Sequence, residues 1–82
     1  MDISKVLIAP KALEYIQKRQ LEKQYLKAKK YILWWYISST SLKLREPKSD
    51  EIWYFRINKQ YRALCKLEWD ILYVLAIDNH QN

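Results

Sequence analysis

The fold of this chain is decided by the stretch Glu51 to His80, which reads EIWYFRINKQYRALCKLEWDILYVLAIDNH. Apolar and polar residues alternate in two runs, Ile52 to Ile57 and Tyr61 to Leu67, and this alternation is typical of half-buried strands. A third run, Ile71 to Ile77, is apolar on both faces, as in strands that are covered on both sides. We therefore predict three consecutive strands joined by two hairpins, with a partner covering the second face of the third strand.

Two helices are predicted before this stretch. Pro10 suits the first turn of a helix, because its missing N–H costs nothing there, and Leu13 and Ile16 give that helix a narrow apolar face. The second helix is indicated by apolar residues that recur at spacings of three and four. Its apolar stripe comprises Leu21, Tyr25, Ala28 and Ile32, widened by Leu26 and Leu33. The lysines on its other side form either a solvated face or a nucleic-acid contact, and they are Lys23, Lys27 and Lys30.

Two shorter runs complete the predicted elements. Ile3 to Ile8 is apolar and β-branched, and Leu42 to Leu44 alternates, so each is expected to be a strand. The order is therefore one strand, two helices and about four strands. We predict a single domain over residues 1–82 of the α+β class, in which an N-terminal strand and a two-helix hairpin pack on a mainly antiparallel four-stranded sheet.

The composition narrows the class of protein. The chain has 82 residues, 50% of them hydrophobic, and a formal net charge of +6. A basic domain favours a polyanionic partner such as nucleic acid, an acidic protein segment or an anionic surface, although many basic domains bind none of these. The single cysteine, Cys65, excludes an internal disulfide and a cysteine-based zinc site, and no cofactor is predicted. No apolar run approaches the roughly 18 residues of a membrane span, so we expect a cytoplasmic protein with no membrane partner.

The chain contains no glycine, although about six would be expected at a usual frequency of about 7%. Large aromatic residues stand at positions where glycine is common. They are Trp34, Trp35 and Tyr36 after the second helix, and Trp69 at the tip of the second hairpin. Exposed aromatic patches mark interfaces, so these residues predict a contact surface through which the protein forms homo-oligomers. The alternative is that the tryptophans pack in the core.

The first predicted hairpin brings two arginines together. If residues 58–60 form a three-residue loop, Arg56 faces Arg62 across the ladder. Like charges directly opposite one another are destabilising, so we expect an anion between them. A phosphate fits the fork geometry of guanidinium groups. The alternative is that both arginines splay into solvent.

A histidine follows the third predicted strand. With residues 69–70 as the tip of the second hairpin, Arg62 faces Ile77, and His80 lies just beyond, near the arginine pair. Cleavage of RNA by its own 2′-hydroxyl needs a base, an acid and cations that stabilise the crowded phosphate. His80 suits the acid or base role, and Arg56 and Arg62 suit the role of the cations.

Other charged residues near this cluster complete a candidate RNA site. The carboxylates available as a base are Glu46, Glu51 and Asp78. The cations suited to hold the flanking RNA backbone are Lys43, Arg45, Lys48 and Lys59. A single histidine with scattered acidic residues is poor metal-ligand spacing, so no metal site is predicted.

Four segments resemble the RelE/ParE toxin superfamily, and the resemblance spans nearly the whole chain. They are Leu42-Lys43-Leu44-Arg45, Tyr54-Phe55-Arg56-Ile57, Tyr61-Arg62-Ala63-Leu64 and Leu72-Tyr73-Val74-Leu75-Ala76-Ile77. The resemblance implies a RelE-like fold and a toxin of a type II toxin–antitoxin system, an endoribonuclease that cuts mRNA on the ribosome without a metal. It also implies that Arg62 stabilises the phosphate, that Arg56 is a basic strand position, and that His80 occupies the place of a catalytic arginine or histidine.

The resemblance further implies a partner. Antitoxins of this superfamily wrap the toxin, which would supply the missing cover for the third strand and place Leu75 and Ile77 in the interface. One branch, similar to ParE, poisons DNA gyrase instead of cutting RNA, and His80 favours RNA cleavage over that alternative. A second alternative is a non-enzymatic scaffold that self-associates through its exposed aromatic residues.

Overall fold

A computed structural model describes residues 3–34 and 42–79 of the chain. This part of the chain is α+β, with two helices and a five-stranded mixed sheet. In chain order the elements are β1 (Lys5–Ile8), α1 (Pro10–Lys18), α2 (Glu22–Leu33), β2 (Lys43–Leu44), a short 3₁₀ helix (Lys48–Asp50), β3 (Trp53–Arg56), β4 (Tyr61–Glu68) and β5 (Ile71–Asn79). Among these described residues, no helix has the length and apolar character needed to cross a membrane.

The strands lie in the order β1-β5-β4-β3-β2. The three strands predicted from the alternating runs are β3, β4 and β5, and they pair antiparallel in sequence order. The sequence predicts β1 to pack on a four-stranded sheet, but β1 instead joins the sheet, parallel to β5, with Val6 opposite Leu72. Parallel neighbours need a long crossover connection, and all the other elements lie between β1 and β5 in the chain. The α+β class is therefore confirmed, whereas the sheet is five-stranded and mixed.

The first helix begins at Pro10, as predicted. It buries Ala12 and Ile16 against the sheet, whereas Leu13, which the sequence places on the apolar face, is exposed. The fixed φ of proline is already helical and its missing N–H would have had no partner in the first turn. A helix of nine residues with two buried side chains depends on the sheet for its stability, because isolated helices of this length are marginal.

The second helix presents most of its predicted stripe to the sheet. The residues of that stripe that are buried are Leu21, Tyr25, Ala28 and Ile32. Leu26, which the sequence predicts to widen the stripe, is 59% exposed, and Leu33 is exposed as well. Each residue advances about 100° around a helix of 3.6 residues per turn, so Leu26 lies well to one side of its buried neighbour Tyr25. The stripe is therefore narrower than predicted.

The helices cover one face of the sheet, which we call the inner face, and the opposite side is the outer face. The strand residues buried under the helices are Phe55, Ala63, Cys65, Leu72 and Val74, each at most 1% exposed. The ring of Tyr25 on α2 packs beside that of Phe55, with their centroids 6.4 Å apart. Strand residues that alternate with this buried set face outward, so the outer face carries both arginines of the predicted pair.

A β-bulge interrupts the ladder between β4 and β5. Leu64 pairs with Ala76 while its neighbour Cys65 pairs with Val74, so Leu75 is an extra residue on β5. The bulge shifts every later pair by one position. Arg62 therefore faces Asp78 rather than Ile77, which corrects the sequence prediction.

Three non-glycine residues adopt positive φ in the connections of the described chain: Gln20 at 57°, Glu51 at 56° and Trp69 at 59°. Glycine adopts this conformation without steric cost, whereas other residues pay about 1–2 kcal/mol. The prediction of an aromatic residue at a glycine-favouring hairpin tip is confirmed for Trp69, whose side chain is 96% exposed. Trp34 ends α2 with extended backbone angles, φ −83° and ψ 113°, so glycine is not required at that position.

Candidate functional site

The two arginines of the first hairpin lie opposite one another, as the sequence predicts. Arg56 pairs with Arg62 across β3 and β4, and Arg62 pairs with Asp78 across β4 and β5. We call these three residues the charged row. The turn that sets this register is held by Asn58, whose side-chain oxygen accepts hydrogen bonds from the backbone N–H groups of Gln60 and Tyr61, both at 2.8 Å.

Within the charged row, Arg62 is held by two neighbours. Its Nε and Nη2 atoms donate hydrogen bonds to Oδ2 of Asp78 at 3.3 and 2.6 Å, and its guanidinium carbon lies 4.8 Å from the ring centroid of Tyr54. The Arg62 side chain is only 19% exposed. A guanidinium has five N–H donors, and these two hydrogen bonds leave three that are directed elsewhere. Arg62 is therefore fixed in place while it keeps donors for another anion.

Asp78 changes the electrostatic argument that the sequence suggests. The sequence predicts that an external anion offsets the repulsion between Arg56 and Arg62, but the bulge brings the Asp78 carboxylate into the same row. The row therefore carries two positive charges and one negative charge. It retains an excess of one positive charge on the outer face, with Arg56 exposed at one end.

Neighbouring rows of the outer face combine cations with apolar and aromatic side chains. Lys43 pairs with Tyr54, and Tyr54 pairs with Leu64 in the row next to the charged row. One row further along, Lys66 pairs with Tyr73. Since residues directly opposite one another share a face, the structure brings Arg56, Arg62 and Lys43 to one side of the sheet.

The remaining predicted site residues on the segment before β3 lie at the other end of that strand. The backbone N–H of Arg45 donates to the carbonyl of Ile52 at 2.7 Å, and both Glu46 and Lys48 are exposed just beyond it. Ile52 and Arg56 are four positions apart along extended chain, or about 13 Å. The structure therefore does not bring Glu46 to the charged row, and Asp78 is the carboxylate that lies there. Glu51 is exposed in the same segment as Glu46.

Lys59 occupies the turn between β3 and β4 and lines a groove against α2, rather than lying on the outer face. Of the predicted partner-surface residues, Trp69, Leu75 and Trp34 are exposed. Ile77 is partly buried and packs against the core, because the bulge turns it to the inner face. His80, Trp35 and Tyr36 lie outside the described residues, so their predicted roles stay predictions.

The pKa values that are raised by burial belong to the core beneath the inner face. Burial raises the pKa of the Cys65 thiol above its usual range. Burial, together with the nearby Cys65, raises the pKa of Tyr25 to about 12. Both groups are therefore neutral at physiological pH. Among residues 3–34 and 42–79, no three His, Cys, Asp or Glu side chains come together in a way that could hold a metal ion.

Two contacts of Arg62, with Tyr54 and with Asp78, were not predicted from the sequence, and the reasons differ. Tyr54 is two positions from Arg56 on one strand, so it lies diagonally across from Arg62, and diagonal neighbours are within reach of long side chains. That contact was available from the predicted register. The position of Asp78 was not, because nothing in the sequence marks the bulge at Leu75.

Comparison with known proteins does not assign the chain to a family. No protein-family model matches the chain, and no curated protein is significantly similar to it. Its function must therefore be inferred from its own residues and their geometry.

Proposed function

We propose that this protein is a RelE-like toxin, a metal-independent endoribonuclease that cuts mRNA on the ribosome and is neutralised by an antitoxin. The observation that carries the proposal is the charged row, in which Asp78 and Tyr54 hold the Arg62 guanidinium in place on the outer face, opposite Arg56. A fixed guanidinium stabilises a developing phosphate charge without having to reorganise during the reaction.

The surroundings of the charged row support a single-stranded RNA substrate. Half-buried Tyr54 and Tyr73 lie on the same face of the sheet as Lys43 and Lys66. Unpaired bases stack on aromatic rings, and cations follow the phosphate backbone. An open sheet face with both kinds of side chain therefore suits an RNA strand that lies across it.

In the proposed reaction, the 2′-hydroxyl of the RNA attacks the adjacent phosphorus, and the 5′-oxygen of the next nucleotide leaves. Arg62 and Arg56 stabilise the negative charge on the phosphate oxygens. His80 either takes the proton of the 2′-hydroxyl as the base or protonates the leaving 5′-oxygen as the acid, and water makes the other of these two proton transfers. Asp78 does not touch the phosphate in this scheme, but it positions Arg62 through their hydrogen bonds.

An antitoxin is proposed as the cover of the outer face. Leu7 of β1 and Leu75 of β5 are 42% and 46% exposed. Leu7 pairs with Tyr73 in the outer-face register, so apolar side chains lie beside the lysines and arginines of that face. A segment with apolar and acidic side chains complements such a surface.

The test of the proposed reaction is mRNA cleavage in a translation extract. Wild-type protein should cut mRNA at ribosome-bound positions, and Arg62→Ala should reduce cleavage by at least about 100-fold, the loss expected for an electrostatic stabiliser. Arg19→Ala is the matched control, because it removes an exposed arginine that follows α1 and stacks on Tyr15. Circular dichroism verifies that each variant is folded. Intact mRNA with well-folded wild-type protein would refute the proposal.

Two further assays on the same purified protein distinguish the two alternative functions. Inhibition of DNA supercoiling by gyrase, without RNA cleavage, would indicate the ParE-like alternative. The self-associating scaffold is favoured by Trp69, which is 96% exposed at a hairpin tip. It requires oligomers in light scattering that become monomers in Trp69→Ser, together with no cleavage.

A further inference from the structure

A second basic site lies on the other side of Arg56, between α2 and the turn that joins β3 and β4. It is a groove of about 420 Å³, within the size range of ligand sites. Three cations line it, Lys27 from α2, Arg56 from β3 and Lys59 from the turn. None of the described residues that line the groove is acidic. Positive charges drawn together without a carboxylate favour an anionic ligand.

The two walls of the groove are joined by a hydrogen bond. The side-chain nitrogen of Asn58 donates a hydrogen bond to the side-chain oxygen of Gln24 at 2.8 Å. The side-chain oxygen of Asn58 accepts from the backbone of its own turn. One side chain therefore links the turn that carries Lys59 to the helix that carries Lys27.

The groove and the charged row share Arg56. Arg56 pairs with Arg62 on the outer face and also lines the groove, so the two basic sites meet at this end of β3. Tyr31, one helical turn beyond Lys27, lines the groove and is exposed. An aromatic ring beside phosphate-binding cations is the combination that binds single-stranded nucleic acid.

We propose that the groove binds a backbone phosphate of single-stranded RNA, with Tyr31 stacking on an adjacent base, as a second contact for the strand that crosses the charged row. The choice of RNA as the ligand rests on the proposed function, whereas the anion site rests on the three cations and the Asn58 to Gln24 hydrogen bond. The groove thus sets the path of the strand, and Arg56 is the point at which that path passes from one site to the other.

The test measures binding apart from cleavage. The probe is a fluorescent 2′-O-methyl RNA of about ten nucleotides, which cannot be cleaved because its 2′-oxygens are blocked, and the measurement is fluorescence anisotropy at several salt concentrations. Lys27→Glu should weaken binding at least about tenfold more than Lys23→Glu, which makes the same charge change at an exposed position of the same helix outside the groove. The slope of log affinity against log salt should fall by about 0.7 for each phosphate that the variant no longer neutralises.

Tyr31 provides a second arm of the same test. Tyr31→Ala should weaken binding about 5- to 100-fold because the base loses its stacking partner, whereas Tyr31→Phe, which keeps the ring, should bind like wild type.

Equal losses of affinity for Lys27→Glu and Lys23→Glu would show that the groove is not an RNA-binding site. A polyglutamate peptide that binds more tightly than RNA, with the same dependence on Lys27, would overturn RNA as the occupant. If the groove binds RNA but no mRNA is cut in extracts, the proposed reaction is refuted and the groove remains an RNA-binding site. If mRNA is cut in an Arg62-dependent way but the groove variants bind RNA like wild type, the proposed reaction is retained and the groove is refuted as an RNA-binding site.

Discussion

The two faces of the sheet are built from the same strands but are governed by different physics. On β3, Phe55 is 1% exposed beneath the helices, while its neighbour Arg56 is exposed on the outer face. On β4, fully buried Ala63 follows Arg62. Because successive side chains of a strand point to opposite faces, the core residues Phe55 and Ala63 are each adjacent in sequence to an arginine of the charged row. The inner face holds the buried core, whereas the outer face and the groove carry exposed positive charge.

This contrast predicts opposite outcomes for neighbouring substitutions on β3, with the largest expected effect on the inner face. Phe55→Ala should lower the free energy of unfolding by about 3–5 kcal/mol, since it leaves a cavity against Tyr25. Arg56→Ala should change it by no more than about 0.5 kcal/mol, because its side chain is exposed. Urea denaturation followed by circular dichroism measures both. Comparable losses for the two variants would contradict the division between the faces.

The next largest expected effect is a loss of folding stability at alkaline pH, which arises from buried groups beneath the inner face. Burial holds the folded pKa of Cys65 above its ordinary value of 9.0. Below that value the thiol is neutral in both states, and its contribution to stability is fully present. As the pH rises above 9, the unfolded thiol ionises first, so stability falls by about 1.4 kcal/mol per pH unit, or about 2 kcal/mol by pH 10.5. Tyr25, with its pKa raised to about 12, adds a further loss above pH 10.

The control for this pH effect is Cys65→Ala. Its cavity costs the same free energy at every pH, so the variant should be less stable at pH 7.5 but should lose less stability than wild type between pH 9 and 10.5. Denaturation curves at matched ionic strength measure the two slopes. Parallel slopes would mean that the thiol is not shielded from solvent by the helices.

The difference between the faces also explains what the sequence could predict. Alternation in β3 and β4 and the length of the turn between them were sufficient to place Arg56 opposite Arg62. No residue type near Leu75 marks the bulge, since the chain has no glycine. The pairing of Asp78 with Arg62 could therefore not be predicted from the sequence.

Tertiary packing supplied the rest of the site. Lys27 belongs to an ordinary lysine-rich helix face, and only the docking of the β3–β4 turn against α2 makes it part of a groove. The pairing of β1 with β5 likewise joins residues about 66 positions apart, and strand periodicity does not specify the neighbour of a strand. Local patterns thus predicted the elements and one register, while contacts between distant segments determined the rest.

The smallest expected effect concerns the balance of charge on the outer face. Asp78→Asn keeps the shape of the side chain but removes the negative charge that faces Arg62. The loss of a partly exposed, charge-assisted pair should cost about 1 kcal/mol. Glu68→Gln is the matched control, because it removes one exposed carboxylate at the far end of β4, and it should cost no more than about 0.5 kcal/mol.

Two further stability measurements, one at high salt and one with a second substitution, show whether this cost comes from repulsion within the charged row. If Arg56 and Arg62 repel one another once Asp78 is neutralised, the deficit of Asp78→Asn should shrink in 1 M NaCl, where the screening length is about 3 Å. Adding Arg56→Gln should recover part of the lost stability, because it removes one of the opposed charges. The deficit of Phe55→Ala should not respond to salt in this way, since it arises from a cavity. A salt-independent deficit in Asp78→Asn would mean that the carboxylate acts by anchoring Arg62 through hydrogen bonds rather than by balancing charge.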